Sequence, residues 1–457
     1  MTNFSLTTTR RQSLALALLL ASAMAAARAD EAANPANLAN DTPAALRLSG
    51  FGTLGITHND SSDAGAIFSS AQKRPAGQGW STNLDSVLGL QLEWQAGANT
   101  AFVLQGVVRA GDDLSPELRM AYLRQQVSND FAVRAGRIRS PLYFDSDVVE
   151  IGYAYLMARP ALPLYGTVNS VASLDGADLQ WRHNIGDTAL LAQAYYGQSD
   201  YRHRFYNLDP VQAADASLRN IRGLAVSATL PNLILRASHS VIGSYTMRSA
   251  QVSQINGATA QLAGALQASA ANPYLPPALA AGLQARAQSI RALASPFDSR
   301  PLYTSVGFDA NAGDWRLLGE ATRLDSRSAM VGKYHGYQFT VARSFDEFTP
   351  YVSLARQRRA SPALDTSALA PTGLDPMLDG GLAQLKGGLD QAARYADLST
   401  RSISAGVRYD FRGNMALKLQ YDHLQTPGAY SPGYFAVSRL PIRPTVNLFT
   451  VSLDFVF

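Results

Sequence analysis

Charged side chains of both signs are concentrated in one stretch of the 457-residue chain, between positions 109 and 150. Five of its arginines and three of its acids are the candidate site residues: Arg109, Arg119, Arg134, Arg137 and Arg139, with Asp145, Asp147 and Glu150 after them. Because the guanidinium group stays charged at physiological pH, opposed groups of such residues create a permanent electric field between them. The chemistry that this set predicts is the orientation of polar molecules in that field, provided that the chain brings the arginines and the acids face to face.

Covalent chemistry is not indicated by the sequence. It contains no GxSxG, no HExxH and no phosphate-binding glycine loop. His183, His239, His335 and His423 all fall on the apolar side of alternating segments. A buried nucleophile–base pair is not expected there. We therefore expect no enzymatic activity, no cofactor and no metal site.

The amino terminus has the pattern of an export signal. Two basic residues, Arg10 and Arg11, precede an apolar run over 14–24, and Ala27-Arg28-Ala29 forms a cleavage site before Asp30. The predicted domains are a cleaved signal peptide at 1–29, a short segment at 30–44 and a single domain at 45–457. Removal of the leader takes away three arginines and no acid, so the formal charge falls from +4 to +1. Nucleic acid is therefore not an expected partner.

The last residues of the chain alternate between apolar and polar side chains. Phe449, Val451, Leu453, Phe455 and Phe457 occupy one parity, which predicts a strand with one apolar face. Sixteen segments share this pattern: 46–57, 83–96, 100–111, 117–127, 130–138, 174–184, 187–198, 219–230, 232–243, 301–311, 313–324, 334–344, 347–357, 400–411, 414–424 and 446–457. An even number of such strands is typical of a bacterial transmembrane β-barrel.

The connections between these strands alternate between short and long. Every second connection has one to three residues, as at 97–99 and 185–186, whereas the others include 58–82, 139–173, 199–218, 244–300, 358–399 and 425–445, with short exceptions at 112–116 and 325–333. Sorting by length is typical of a membrane barrel with short periplasmic turns and long extracellular loops. Aromatic residues flank the short turns, as a membrane-interface girdle would: Trp94, Phe102, Phe131, Trp181, Trp315, Phe348, Phe411 and Phe457. The fold class is therefore all-β, a transmembrane antiparallel β-barrel.

Two of the long loops contain helical patterns. Leu378, Leu382, Leu385 and Leu389 are spaced as one face of a helix. Leu279, Leu283 and Ile290 form a similar stripe in the loop 244–300. Each helix is expected either to pack its stripe against the loop layer or the inner wall, or to act as a lid that narrows the mouth.

The chain resembles the general porins of Gram-negative bacteria, in particular proteobacterial porin-like proteins. The resemblance rests on the signal peptide, the strand LRLSGFGTLGI, the segment FAVRAGRIRSPLY, the hairpin SAGVRYDFRGNMALKLQYDHL and the terminal VSLDFVF. It implies an outer-membrane homotrimer of sixteen-stranded barrels with the third loop folded into the pore. It also implies that the barrel-assembly machinery recognises the C-terminal strand that ends at Phe457.

With the third loop folded inward, Asp145, Asp147 and Glu150 would face arginines on the wall and form a constriction. The lumen-facing parity is expected to carry Arg109, Arg119, Arg134, Arg182, Arg236, Arg316, Arg408 and Lys418, with Glu93, Asp178, Asp309, Glu320, Asp410 and Asp422. Each arginine alone is better explained as a solvated or paired wall residue, whereas a group of three to five of them is expected to form the constriction. Tyr143, Tyr153, Tyr155 and Tyr165 either bind solutes or pack the loop. The expected function is passive diffusion of small hydrophilic solutes and ions, and the alternative is a substrate-specific channel.

Overall fold

The computed structural model describes residues 46–166, 168–207, 211–328, 330–362 and 364–457. The expected signal peptide at 1–29 and the segment 30–44 lie outside these described residues.

Sixteen long strands form one antiparallel sheet that closes on itself. They are β1 Leu46–Asn59, β2 Val87–Gly97, β3 Thr100–Arg109, β4 Glu117–Gln126, β5 Phe131–Arg139, β6 Ser173–Ile185, β7 Thr188–Phe205, β8 Gln212–Leu230, β9 Leu233–Arg248, β10 Leu302–Ala312, β11 Trp315–Asp325, β12 Lys333–Arg343, β13 Phe348–Arg359, β14 Thr400–Arg412, β15 Met415–Gln425 and β16 Thr445–Val456. β1 pairs with β16, in register from Phe51↔Val456 to Asn59↔Leu448. The predicted sixteen-stranded barrel is confirmed.

The last residue of the chain is fixed at the closure of the barrel. Phe457 and Gly50 exchange two backbone hydrogen bonds of 2.8 and 2.9 Å. A Cβ atom on Gly50 would lie 2.3 Å from the Phe457 ring, so glycine is needed for the ring to lie flat across β1. The terminal ring therefore has a structural place beside the first strand.

The two faces of the strands carry different side chains. Outward-facing Leu90, Val306 and Ile403 are 46%, 55% and 54% exposed, whereas inward-facing Thr450 and Asp454 are fully buried. The aromatic residues beside the short turns also face outward, with Trp94 and Phe102 stacked at 5.4 Å between ring centroids. The barrel thus presents an apolar outer surface with aromatic rings near one end.

The two ends of the barrel differ in their connections. At the turn end, hairpins of two to four residues join the strands, and Gly186 and Gly313 have φ values of +56° and +60°, as tight two-residue turns require. At the loop end, the long connections include 60–86, 140–172, 249–301, 360–399 and 426–444. The predicted alternation of short and long connections is confirmed.

One predicted loop is wrong. Residues 199–218 are mostly strand, because β7 and β8 continue to pair with each other well past the expected ends, for example at Tyr201↔Ala216. β9 also continues to Arg248. Because these strands are longer than their neighbours, this side of the wall rises above the rest of the barrel. The continued pairing satisfies the backbone donors and acceptors of the raised segments.

Three long helices lie in the loops at the loop end: α1 Ala250–Ala270, α2 Pro277–Arg291 and α3 Pro376–Tyr395. A single helical turn, Leu162–Tyr165, lies in the loop 140–172. The stripe predicted in α3 is confirmed, because Leu378, Leu382, Leu385 and Leu389 are its buried residues. In α2, Leu283 and Ile290 are buried but Leu279 is 42% exposed, so that part of the predicted stripe is wrong. Most of the buried residues of the three helices form one apolar cluster. Among the described residues, no helix has both the length and the apolar character needed to cross a membrane.

Candidate functional site

The loop between β5 and β6, residues 140–172, enters the barrel and contacts the inner wall on opposite sides. On one side, the backbone N–H of Phe144 donates to Glu320 of β11 at 3.0 Å. On the other side, Lys418 of β15 donates to the carbonyl of Gly152 at 2.7 Å. This loop, called the inner loop below, therefore crosses the lumen.

The inner loop also reaches toward the turn end. The hydroxyl of Tyr153 donates to the carbonyl of Gly413, in a turn between β14 and β15, at 2.7 Å. Arg408 of β14 donates to the carbonyls of Tyr153 and Tyr155 at 2.7 and 2.6 Å. These contacts hold the loop along the inner wall over much of its height.

Glu150 of the inner loop lies among three arginines of the wall. Its carboxylate is 3.4 Å from Arg109, 2.8 Å from Arg119 and 3.0 Å from Arg139, and its side chain is only 1% exposed. Burial raises the pKa of the Glu150 carboxyl, but the guanidinium groups of Arg119, Arg139 and Arg109 outweigh burial and hold that pKa well below its usual range. Four of the residues singled out in the sequence therefore meet at one buried point.

Arg134 and Arg137 do not join this group. Arg134 binds Asp178 of β6 through its Nε at 3.0 Å. Arg137 binds Asp175 at 2.6 Å. Asp175 shares its parity with Leu179, which is 44% exposed on the outer surface. The expectation that Arg137 lines the constriction is therefore wrong, because cross-strand pairs such as Arg137↔Asp175 face the same side of a sheet.

The other two acids of the inner loop have different surroundings. Asp147 pairs with Arg236 of β9 at 2.5 Å, and its side chain is 54% exposed inside the barrel. Asp145 accepts a 3.3 Å hydrogen bond from Tyr165, whose hydroxyl also binds Glu320. Asp147 thus meets the predicted wall arginine, whereas Asp145 lies beside another acid.

Arg159 is the residue of this loop that the sequence interpretation missed. Its guanidinium group binds Asp85 at 2.6 Å and Asp422 at 2.6 Å, and all three side chains are at most 7% exposed. The signal in the sequence is its isolation, since Arg159 is the single charge within the apolar segment YLMARPALPLY. A lone arginine in such a segment needs a buried acid as a partner.

The inner wall is not polar along its whole height. Near the loop end, inward-facing residues of the wall form an apolar cluster with the inner loop, including Leu174, Tyr195, Leu218, Ile221, Ile242 and Tyr303. Tyr143 and Tyr165 of the loop belong to this cluster, with ring centroids 4.7 Å apart and at most 1% exposure. Tyr155 is also buried, so these three tyrosines pack the loop. The inward-facing residues were expected to be polar along the whole barrel, and this is correct only toward the turn end.

No protein-family model and no curated protein matches the chain. Solved structures of outer-membrane proteins match it in fold. An anion-selective porin from Comamonas acidovorans has 12% sequence identity and a TM-score of 0.49, with 90% of this chain and 99% of that chain covered. The OmpF structure of Salmonella typhi with daunomycin has 12% identity and a TM-score of 0.49, with 90% of this chain and 97% of that chain covered. The DcaP channel of Acinetobacter baumannii has 11% identity and a TM-score of 0.47, with 92% of this chain and 99% of that chain covered. The chain is thus similar to these porins and channels in the fold of its barrel.

Proposed function

We propose that this chain is a porin of the Gram-negative outer membrane, through which small hydrophilic solutes and ions diffuse passively. The observation that carries the proposal is a closed antiparallel barrel with an apolar outer surface and charged side chains inside. Closure leaves no unpaired strand edge in lipid, and the apolar surface suits the hydrocarbon layer. In this orientation the turn end faces the periplasm, the loop end faces outward, and residues 1–29 direct export. We propose no enzymatic activity.

The inner loop and the wall that faces it form the proposed constriction, and the charged residues of the two have separate roles. Asp147, Arg236 and Arg134 retain 54%, 12% and 13% of their side-chain exposure, so they can touch passing solutes. Glu150 and Arg139 are nearly inaccessible and instead fasten the loop to the wall. Arg109 joins Glu150 and Arg139 in fastening the loop. Arg119 also binds Glu150, but its side chain is 19% exposed, so it can both fasten the loop and touch passing solutes.

The proposed partners are outer-membrane lipid, the permeating solutes and further copies of the chain. Resemblance to general porins supports a homotrimer. It also supports recognition of the terminal strand by the barrel-assembly machinery, for which the ring of Phe457 at the closure is the residue to test.

A substrate-specific channel is the second candidate function. It is favoured by the apolar inner wall near the loop end and by the helices that lie beside it, because a general pore needs neither. Both candidates are channels, and they differ in whether one class of solute binds before it passes.

Channel activity is tested by inserting the purified, detergent-solubilised protein into planar lipid bilayers. We expect discrete conductance steps in potassium chloride solution, with no requirement for a nucleotide or a metal. Intact, folded protein that inserts without conductance steps would contradict the proposal.

Ion preference tests the assignment of the constriction. Replacing Arg236 by glutamine leaves the exposed carboxylate of Asp147 without its counter-charge, so the permeability ratio should move about two-fold toward cations. The reversal potential in a salt gradient measures this change. Arg137→Gln is the matched control, because it removes a similarly paired arginine from the outer face. If both variants keep the wild-type reversal potential, the constriction lies elsewhere.

A further inference from the structure

A cavity of about 430 Å³ lies at the loop end, between the raised wall of β7 to β9, the inner loop and helix α3. Cavities of this size hold drug-sized ligands. Its lining is mainly apolar and aromatic and includes Leu142, Tyr195, Ile221, Ile242, Tyr303 and Tyr434. The cavity exists because β7, β8 and β9 extend beyond the neighbouring strands and carry apolar inward residues there.

The lining is almost free of charge. Among the described residues that line the cavity there is no aspartate, glutamate or lysine, and the one arginine is Arg204. The Nε of Arg204 already donates to the carbonyl of Ala71 at 3.2 Å. A cation would lose its hydration here without gaining a counter-charge, which is costly. An anion would meet that single guanidinium group among otherwise uncharged side chains, too little to offset its own lost hydration, so the lining chemistry fits a neutral solute best.

Two serine hydroxyl groups of the lining are unused. The Oγ atoms of Ser140 and Ser299 are buried and have no hydrogen-bond partner among the described residues. Ser140 is only 3% exposed. Buried polar groups are normally satisfied, so a group that enters the cavity and bonds to these hydroxyls removes an energetic cost.

We propose that this cavity binds a neutral, mostly apolar solute that carries a ring system and one hydrogen-bonding group, such as an aromatic alcohol. As a solute site in the mouth of the channel it rests on the proposed function, and it defines the substrate class of the second candidate. Binding can nevertheless be measured without transport.

Helix α3 offers a variant that fills the cavity without disturbing the fold. Gly388 lines the cavity on the same helix face as Gln391, Ala392 and Tyr395, and a Cβ atom added there would meet nothing within 4 Å. The adjacent Gly387 is equally open but does not line the cavity. Gly388→Leu therefore tests the site, and Gly387→Leu is its matched control.

The experiment measures equilibrium binding of three isosteric probes to the full chain in lipid nanodiscs, with empty nanodiscs as the blank. The probes are 1-naphthalenemethanol, which is neutral, 1-naphthoate, which is an anion, and 1-naphthylmethylammonium, which is a cation. We expect saturable binding of the alcohol, at least about ten-fold tighter than that of either ion. Gly388→Leu should weaken it about ten-fold and Ser140→Ala about five-fold, while Gly387→Leu stays within about two-fold of wild type.

Three results would overturn the proposal: no binding of the alcohol beyond that of empty nanodiscs, equal or tighter binding of either ion, or equal losses in the two glycine variants. Bilayer conductance without any probe is recorded on the same preparations. Conductance without alcohol binding refutes the cavity site alone, whereas alcohol binding without conductance refutes the channel and leaves the site.

Discussion

Single-channel conductance is expected to rise about two-fold when Arg159 is replaced by methionine, because the inner loop loses a main attachment to the wall. The guanidinium group of Arg159 binds Asp85 and Asp422, and all three side chains are buried. Methionine fills a similar volume but leaves two carboxylates without a counter-charge. Breaking a buried ion pair in this way costs about 3–5 kcal/mol. The loop segment can avoid that cost by leaving the wall and letting water reach the acids, which widens the lumen.

The measurement is single-channel conductance in planar bilayers, with the wild type and Arg401→Met beside it. Arg401 is an exposed arginine of β14 that binds Gln425, so its replacement removes one charge without freeing the loop. Equal conductance in wild type and Arg159→Met would show that Arg159 does not hold the loop in the conducting state.

A further variant separates lost charge from lost shape. Adding Asp85→Asn and Asp422→Asn to Arg159→Met removes the buried carboxylates as well, and replacing a whole buried ion cluster by neutral groups is often nearly neutral in stability. Conductance should therefore return toward the wild-type value. If it stays high, the arginine acts through its size and its hydrogen bonds.

The sequence predicts the barrel well because apolar and polar side chains alternate with a period of two in every strand, and this pattern does not depend on the conformation of the loops. It fails where side chains depend on contacts between distant segments. The extended hairpin of β7 and β8 contains the stretch DYRHRF, in which rings alternate with charged residues. Its high charge is typical of an exposed loop, so pairing with the neighbouring strand is what identifies it as a strand. The apolar cavity wall is likewise formed by residues of six strands whose loop ends meet only in the barrel.

The charged site shows the same division between local pattern and distant contact. Arg134 faces inward, and strict alternation along β5 places Arg137 on the outer face. The sequence pattern alone therefore predicts that Arg137 does not line the constriction. Arg119 and Arg139 could not be placed by alternation. A register shift in the β3–β4 pairing leaves Arg119 as an extra residue, and Arg139 lies where the chain turns into the lumen. Their convergence on Glu150 depends on how the inner loop folds.

Replacing Glu150 by glutamine is expected to destabilise the folded protein by about 3–5 kcal/mol, because Arg109, Arg119 and Arg139 then face one another around a neutral amide. The readout is the temperature at which the compact, folded band is lost on heating in detergent. Glu117→Gln is the matched control. Glu117 binds the same Arg119 at 2.8 Å but is 44% exposed, so its loss should cost at most about 1 kcal/mol.

The pH dependence of this difference identifies the carboxylate as its cause. Because the three guanidinium groups hold the pKa of Glu150 below its unfolded value, its contribution to stability is fully present above about pH 5 and declines as the pH falls below the unfolded value of about 4.3. The gap between wild type and Glu150→Gln should therefore be constant from neutral pH down to about pH 5 and narrow in stronger acid. A gap that stays the same size at every pH would mean that the glutamine disturbs packing, and that the charge of Glu150 does not hold the inner loop.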